Sequence, residues 1–399
     1  MLQRYIAYLN DQMLPLLVVL CAFSIPLKTG VFSVFVGLLI IMWAISGDYQ
    51  NKFQRIAENR VAVAACLLFL VFTIGLLYGD VAWQDRLPGY MKYHKLLYIP
   101  IVISVIRNDK HIKWAMNAFL IGCLVVLLLS YLELFSVIPF HDSGQGFIVT
   151  KNRITHNILM AFATFLMMHR AQSARGSYRY VWSCLAFLAT FNILVMVNGV
   201  TGQLILATLF TLFLIQVRSI KPIKFLLAGL LSIILVVYVS GINPNNRLFS
   251  QLLSVHDRHT SSGERLDYYK HTFELFKKNP IYGNGAGSFK FEYQKLVHLE
   301  GDIASATNNP HNQYLLTASE IGLIGLAAFI YLLITNIQKA EELRSTQYSF
   351  PLQGLVLVMA FGSLFNSLLM DAGEGRFYTV MVAVIASAVG VTRKSGAAL

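Results

Sequence analysis

The sequence predicts an all-α fold, a polytopic integral membrane protein of about twelve transmembrane helices with one large loop on a single face, and three observations carry that prediction. Hydrophobic residues make up 56% of the 399 and charged residues 13%, with a mean hydropathy of +0.59, far from the balance of a soluble domain. Apolar runs of the length a bilayer requires, about 20 residues each, recur from end to end. Between two of them, residues 242–311 form a segment longer than a compact connection needs, and loops of that length carry function.

Taken in order, the spans read near 12–27, 30–46, 61–79, 94–106, 114–138, 154–170, 179–197, 201–217, 223–241, 312–336, 352–370 and 377–392. Residues 1–399 are then a single membrane domain, with 242–311 inserted between the ninth and tenth spans. The first apolar run lacks a basic lead and a clear small-residue cleavage site, so it reads as a retained helix. Cys21, Cys66, Cys123 and Cys184 lie within apolar runs without paired spacing, which argues against a disulfide framework or metal knuckle and for packing roles.

A net charge of +12 raises the question of nucleic acid, but the basic residues are scattered over short loops and no basic domain exists to dock a duplex. Orientation explains much of the excess. With the N-terminus cytoplasmic, loops on that side carry Lys52, Arg55, Arg60, Arg107, Lys110, Lys113, Arg170, Arg175, Arg179, Arg218, Lys221 and Lys224, and the tail adds Arg393 and Lys394. The opposite short loops hold Lys28, Arg86, Lys92, Lys95, Lys151, Arg153 and Arg376. Positive-inside reasoning puts both ends in the cytoplasm and 242–311 on the outer face.

That loop reads as structured. Ser261 to Glu264 has capping-box spacing, and the helix that follows sets Leu266, Tyr269, Phe273 and Phe276 on one stripe, suited to lying flat in the headgroup layer. Asn279-Pro280 ends it, and "PIYGNGAGSF" supplies Gly283, Gly285 and Gly287, a tight turn that resembles a phosphate cradle only weakly and more often is an ordinary loop. Asn309 then reads as an N-cap with Pro310 at the first helical position, which starts the tenth span and puts His311 in its first turn. There, unpaired backbone N–H groups favour a neutral imidazole, able to take a proton, and an anion nearby.

His311 and Asn312, then Gly322 and Gly325, stand in the order found in the O-antigen ligase family of membrane glycosyltransferases, which the chain resembles. "SSGERLDYYKHTFELFKKNPIYGNGAGSF" is similar to the family's outer-loop segment, in which an arginine precedes an amphipathic helix and a glycine turn follows, here Pro280, Gly283, Gly285, Gly287 and Phe289. Several members carry an arginine in a "GRTG"-like turn between the seventh and eighth spans. This chain reads "NGVTGQ" there, with Val200 at that place, so another cation must substitute, and Lys92, Lys95, Arg153 and Arg247 are the candidates.

The resemblance implies a glycan donor linked through diphosphate to undecaprenol and an acceptor sugar on the lipid A core, joined at the periplasmic face of a bacterial inner membrane with membrane lipids all around. Such a reaction needs a base for the acceptor hydroxyl, cations for the departing diphosphate, and a groove for two lipid-anchored partners. His311 suits the first role and Arg265 the second, since a planar guanidinium grips phosphate oxygens in pairs. Lys92, Lys95, Arg153, Arg247 and Asn312 complete the candidate set. A single displacement at the anomeric carbon would invert it.

No cofactor or metal is expected. The chain has no Asp-x-Asp pair and no P-loop, and His256 and His259 lack a convincing third ligand. Glu320 falls about half a turn round the helix from His311 and must find another partner. Asp371 and Glu374 read as an exposed turn with a lesser chance of orienting His311, and Gly322 with Gly325 as a close helix contact. An O-antigen polymerase or a protein-glycosylating oligosaccharyltransferase shares the donor chemistry. One long loop and a short tail favour the ligase. A transporter would show two related halves and interrupted mid-membrane helices, and neither is evident.

Overall fold

The computed structural model describes residues 6–139, 146–197, 199–217, 261–300 and 307–390, and all of its regular elements are helical. The ninth expected span, 223–241, together with Arg247, His256 and His259, lies outside the described residues.

The helices are α1 (Leu14–Ser24, entered through a π-turn at Leu9–Met13), α2 (Thr29–Ile45), α3 (Tyr49–Glu58), α4 (Arg60–Gly75), α5 (Trp83–Tyr90) and α6 (Tyr98–Val105). There follow α7 (Asp109–Leu134), α8 (Arg153–Ser173), α9 (Ser177–Phe191), α10 (Val200–Gln216), α11 (Ser261–Lys278), α12 (Phe289–Glu300), α13 (Gln313–Glu342), α14 (Ser349–Gly362) and α15 (Ala372–Ala386). Among the described residues, four helices are long and apolar enough to cross a membrane (Ile6–Ser24, α7, Ser177–Met196 and α13), or five if α2 and α3, bent by 116°, count as one. Four by this measure is far from twelve, and one expected span and one expected connection differ in kind. Expected span 94–106 is a 3₁₀ stretch, Met91–Leu97, running into the eight-residue α6, and the cationic connection after the second span is itself the amphipathic helix α3.

Exposure separates an inner from an outer layer. Val34, Leu38 and Ile41 on α2, Val181 and Phe187 on α9, and Ile330, Ile334 and Ile337 on α13 stand exposed in rows, as apolar faces turned to lipid do. Cys184 shares the exposed face of α9, a correction to its expected packing role, whereas Cys21 and Cys123 are buried. α8 is the opposite case, buried continuously from Thr155 to Met167. Surrounded by protein, it tolerates polar groups that lipid would not: His156 Nε2 lies 2.7 Å from Asn192 Oδ1, and Asn192 Nδ2 donates to Ser130 Oγ at 2.8 Å.

Connections sort to two ends. At one, Arg107 pairs with Asp11 at 3.0 Å and Asp48 at 2.6 Å, and buried Lys52 donates to Trp43 O and Ser46 Oγ. At the other, Thr150 Oγ1 donates to Pro26 O, and the segments 307–313 and 363–371 fold together over the N-terminus of α8. The candidate residues His311, Asp371 and Glu374 lie at this second end.

Candidate active site

The approach to α13 is built by side chains that satisfy backbone. Asn312, not Asn309, caps the helix: its Oδ1 accepts from Leu315 N at 3.0 Å and its Nδ2 donates to Leu364 O. Asn309 instead closes a small turn, its Oδ1 accepting from His311 N at 2.9 Å and from Ser367 Oγ at 2.7 Å. Pro310 therefore precedes the cap, and His311 sits outside the helix in the left-handed region at φ 55°. The expectation that helix N–H groups act on the imidazole gives way to a different cause. Burial, reinforced by the Arg265 charge, lowers its pKa below the ordinary histidine value, against a hydrogen bond with Asn366 that favours the protonated ring. Nδ1 is buried with no hydrogen-bond partner among the described residues.

Arg265, on α11, lies near enough for its charge to act on this imidazole. Burial is the main influence lowering its pKa; Tyr269 and Tyr268 oppose that and Arg153 adds to it, yet a guanidinium stays charged through any such shift. Two neighbouring tyrosines border the site: the Tyr268 and His311 rings lie at 30° with centroids 6.4 Å apart, and Tyr269 OH donates to His311 O (3.2 Å) and Leu364 O (2.9 Å). The expected lipid stripe thus loses Tyr269 to the site, while Leu266 and Phe273 remain exposed. Thr272 and Leu275 form the buried face, with Leu275 in a small core with Phe289, Tyr293 and Leu316.

Arg153 opens α8 beside the Val200 turn, where a side chain added at Gly199 would stand 3.1 Å from Arg153 O. The same turn supplies Thr201, whose Oγ1 accepts from Asn366 Nδ2 at 3.0 Å, so "NGVTGQ" supports the residue that touches His311. Lys95 is engaged elsewhere. Its buried ammonium donates to Met370 O at 2.8 Å and Asp371 O at 2.7 Å and so fixes the loop before α15. Lys92 stands exposed in a separate groove lined by Met370, Asp371 and Arg376.

A chamber of about 460 Å³ opens onto His311, walled by Lys151, Thr155, Asn309, Asn366, Asp371 and Glu374 among others. Glu374 is only 4% exposed and accepts from Thr155 Oγ1 at 2.7 Å, and Asp371 is partly buried, so this is no exposed turn. Burial, with Glu374 beside it, raises the Asp371 pKa. Asp371 meets Asn309 Nδ2 at 3.5 Å, so its link to His311 runs through Asn309 and not to the ring. Gln313 holds the wall rigid by accepting from Leu369 N and Met370 N, each at 3.0 Å. No spacing rule connects Asn366 or Thr201 with His311; only the fold does.

The amides of residues 283–286 in the glycine turn after α11 are committed elsewhere. α13 breaks at Gly322 (φ 68°, ψ −159°), and the turn is spliced into the break. Asn284 N and Gly285 N donate to Ser319 O and Glu320 O, while Leu323 N donates to Pro280 O. Gly283 N goes to Asn279 O and Ala286 N to Gly75 O. With those amides used, the turn cradles backbone and not phosphate. An added Cβ at Gly322 would lie 2.3 Å from Ile281 O, and at Gly283 2.3 Å from Glu320 C, so these glycines serve a backbone junction, a correction to the helix-contact reading of Gly322. Glu320 finds its partner here, with its carboxylate near Phe289 N (3.4 Å) and Tyr93 OH (3.5 Å).

Residues 184–330 match the family model described as O-Antigen ligase. That range contains Arg265, the glycine turn, His311 and Gly322, and omits Arg153, Asp371 and Glu374. A protein of Haemophilus influenzae (strain ATCC 51907 / DSM 11121 / KW20 / Rd), described as uncharacterized, is 32% identical over 89 residues, 21% of this chain and 22% of that protein. The chain thus spans about a fifth of that relative's length.

Proposed function

We propose that this chain, a multi-pass membrane protein whose residues 184–330 match the O-antigen ligase family model, transfers polysaccharide from undecaprenyl diphosphate to a sugar hydroxyl of lipid A core. The reaction takes place at the periplasmic face of a bacterial inner membrane, with both termini in the cytoplasm. The observation that supports this reading is a buried imidazole, its Nδ1 without a hydrogen-bond partner among the described residues, whose pKa is lowered first by burial and then by the Arg265 charge.

His311 accepts the proton of the acceptor hydroxyl as that oxygen attacks the anomeric carbon. The bond from this carbon to the diphosphate oxygen breaks, and the electron pair leaves with the lipid diphosphate. Attack opposite the leaving group inverts the centre. Arg265 stabilises the charge that develops, and Arg153 joins it as the cation standing where Val200 lacks one. Two guanidiniums whose charges disfavour each other form a site that an anion relieves. No nucleotide enters these steps, because the donor bond already holds the needed energy.

Purified protein in liposomes, given one undecaprenyl-diphosphate glycan and three acceptors (lipid A core, a second lipid-linked glycan, a peptide), tests this. Product on lipid A core with inverted anomeric configuration is expected. Product on the second glycan alone identifies a polymerase, product on the peptide alone a protein glycosyltransferase, and movement of intact donor across the bilayer a transporter.

A further inference from the structure

The wall of the 460 Å³ chamber differs in sign from the opposite side of His311. Arg265 and Tyr268 approach the imidazole but form no part of that wall, which carries two carboxylates, Asp371 and Glu374, against one ammonium, Lys151. Thr155, Asn309 and Asn366 supply neutral donors and acceptors. The volume lies within the range of about 300–1,000 Å³ usual for small-ligand pockets.

Burying Glu374 at this place is costly, and the fold supports it from two sides. Burial raises its pKa, and its place in the first turn of α15 with the hydrogen bond from the hydroxyl in the first turn of α8 opposes that and favours its charge. A buried carboxylate so supported, facing a cavity shared with an imidazole, is a ligand-binding arrangement. A carboxylate accepts hydrogen bonds from sugar hydroxyls and repels phosphate.

Resting on the reading of His311 as base, we propose that this chamber holds the acceptor sugar, with Glu374 accepting hydrogen bonds from hydroxyls beside the reacting one. Electrostatics then sort the two substrates: the diphosphate goes to Arg265 and Arg153, and the chamber admits a neutral or amino sugar and rejects one phosphorylated on the reacting ring. Glu374 is a specificity-determining residue that touches substrate, and Asp371 reinforces the rejection of anions.

Glu374→Gln keeps the size of the side chain and a hydrogen-bonding partner for Thr155. In liposomes, its KM for acceptor oligosaccharide is expected to rise about ten- to a hundredfold, while undecaprenyl diphosphate alone binds with unchanged affinity. The disadvantage of an acceptor phosphorylated on the reacting ring should shrink at the same time. Asp371→Asn gives a second reading of that discrimination should Glu374→Gln fold poorly. An unchanged acceptor KM with unchanged discrimination overturns the proposal, as does weakened binding of undecaprenyl diphosphate. The base assignment fails separately: transfer by His311→Ala at the wild-type rate removes the base whatever Glu374→Gln does.

Discussion

Two segments reach α13 from the same long loop, and they use their backbones in opposite ways. The turn at 280–287 enters the break at Gly322 and spends its amides on Ser319 O, Glu320 O and Gly75 O. The approach at 307–312 spends side chains on backbone, Asn309 on His311 N and Asn312 on Leu315 N, and so leaves one ring with a nitrogen unused. Both look functional as strings of letters. The difference teaches that chemistry is marked by hydrogen-bonding capacity held in reserve, and that glycines are as readily consumed by architecture.

Breaking the reserve should cost most. His311→Ala is expected to lower transfer by about 10²- to 10⁴-fold with protein abundance unchanged, measured by capped lipopolysaccharide on gels and by turnover in liposomes. Near-normal turnover would place His311 on the architectural side of the comparison. Arg265→Ala should cost about 10²- to 10³-fold through the leaving group, and Arg265→Lys should restore only part, because an ammonium lacks the paired geometry.

The glycine turn should respond through stability. Gly322→Ala forces a Cβ into a positive-φ conformation (φ 68°, ψ −159°) that is essentially reserved for glycine, about 1–3 kcal/mol before the contact with Ile281 O is counted, and should lower the unfolding temperature and the yield in membranes. A stable Gly322→Ala protein with weakened donor binding would return that turn to the chemistry.

A smaller effect sharpens the electrostatic side. A base works only when unprotonated, so activity should hold as pH falls through 6.5 and decline only at lower pH, since burial and Arg265 push His311 down from the ordinary histidine value of 6.5. Removing Arg265 should move that acid limb upward, readable as the pH dependence of diethyl pyrocarbonate modification of His311. Lys92→Gln, exposed beyond the loop fixed by Lys95, should change turnover by less than about twofold.

Much of this architecture is legible in the letters alone. Hydropathy locates most helices to within a few residues, because lipid imposes one demand on every spanning segment. The 3₁₀ stretch at Met91–Leu97 and the break at Gly322 escape it, since both depend on what packs beside them. His311 and Arg265 stand out through their motifs. Asn366, Thr201 and the Tyr268 ring do not, being far apart in sequence and joined only by folding. Asn309 and Asn312 show the same limit at close range: both are good caps, and only Asn312 has its side chain on Leu315 N.

The junction at Gly322 also links scaffold and site. It lies nine residues beyond the start of α13, roughly 14 Å into the helix, where Ser319 O and Glu320 O take their partners from the loop and not from the helix itself. Residues 280–287 precede α13 in the chain, so the partners of those carbonyls are already made when the helix is synthesised. The segment that completes the scaffold at the break is thus continuous, through α11, with Arg265, the arginine proposed to serve the reaction.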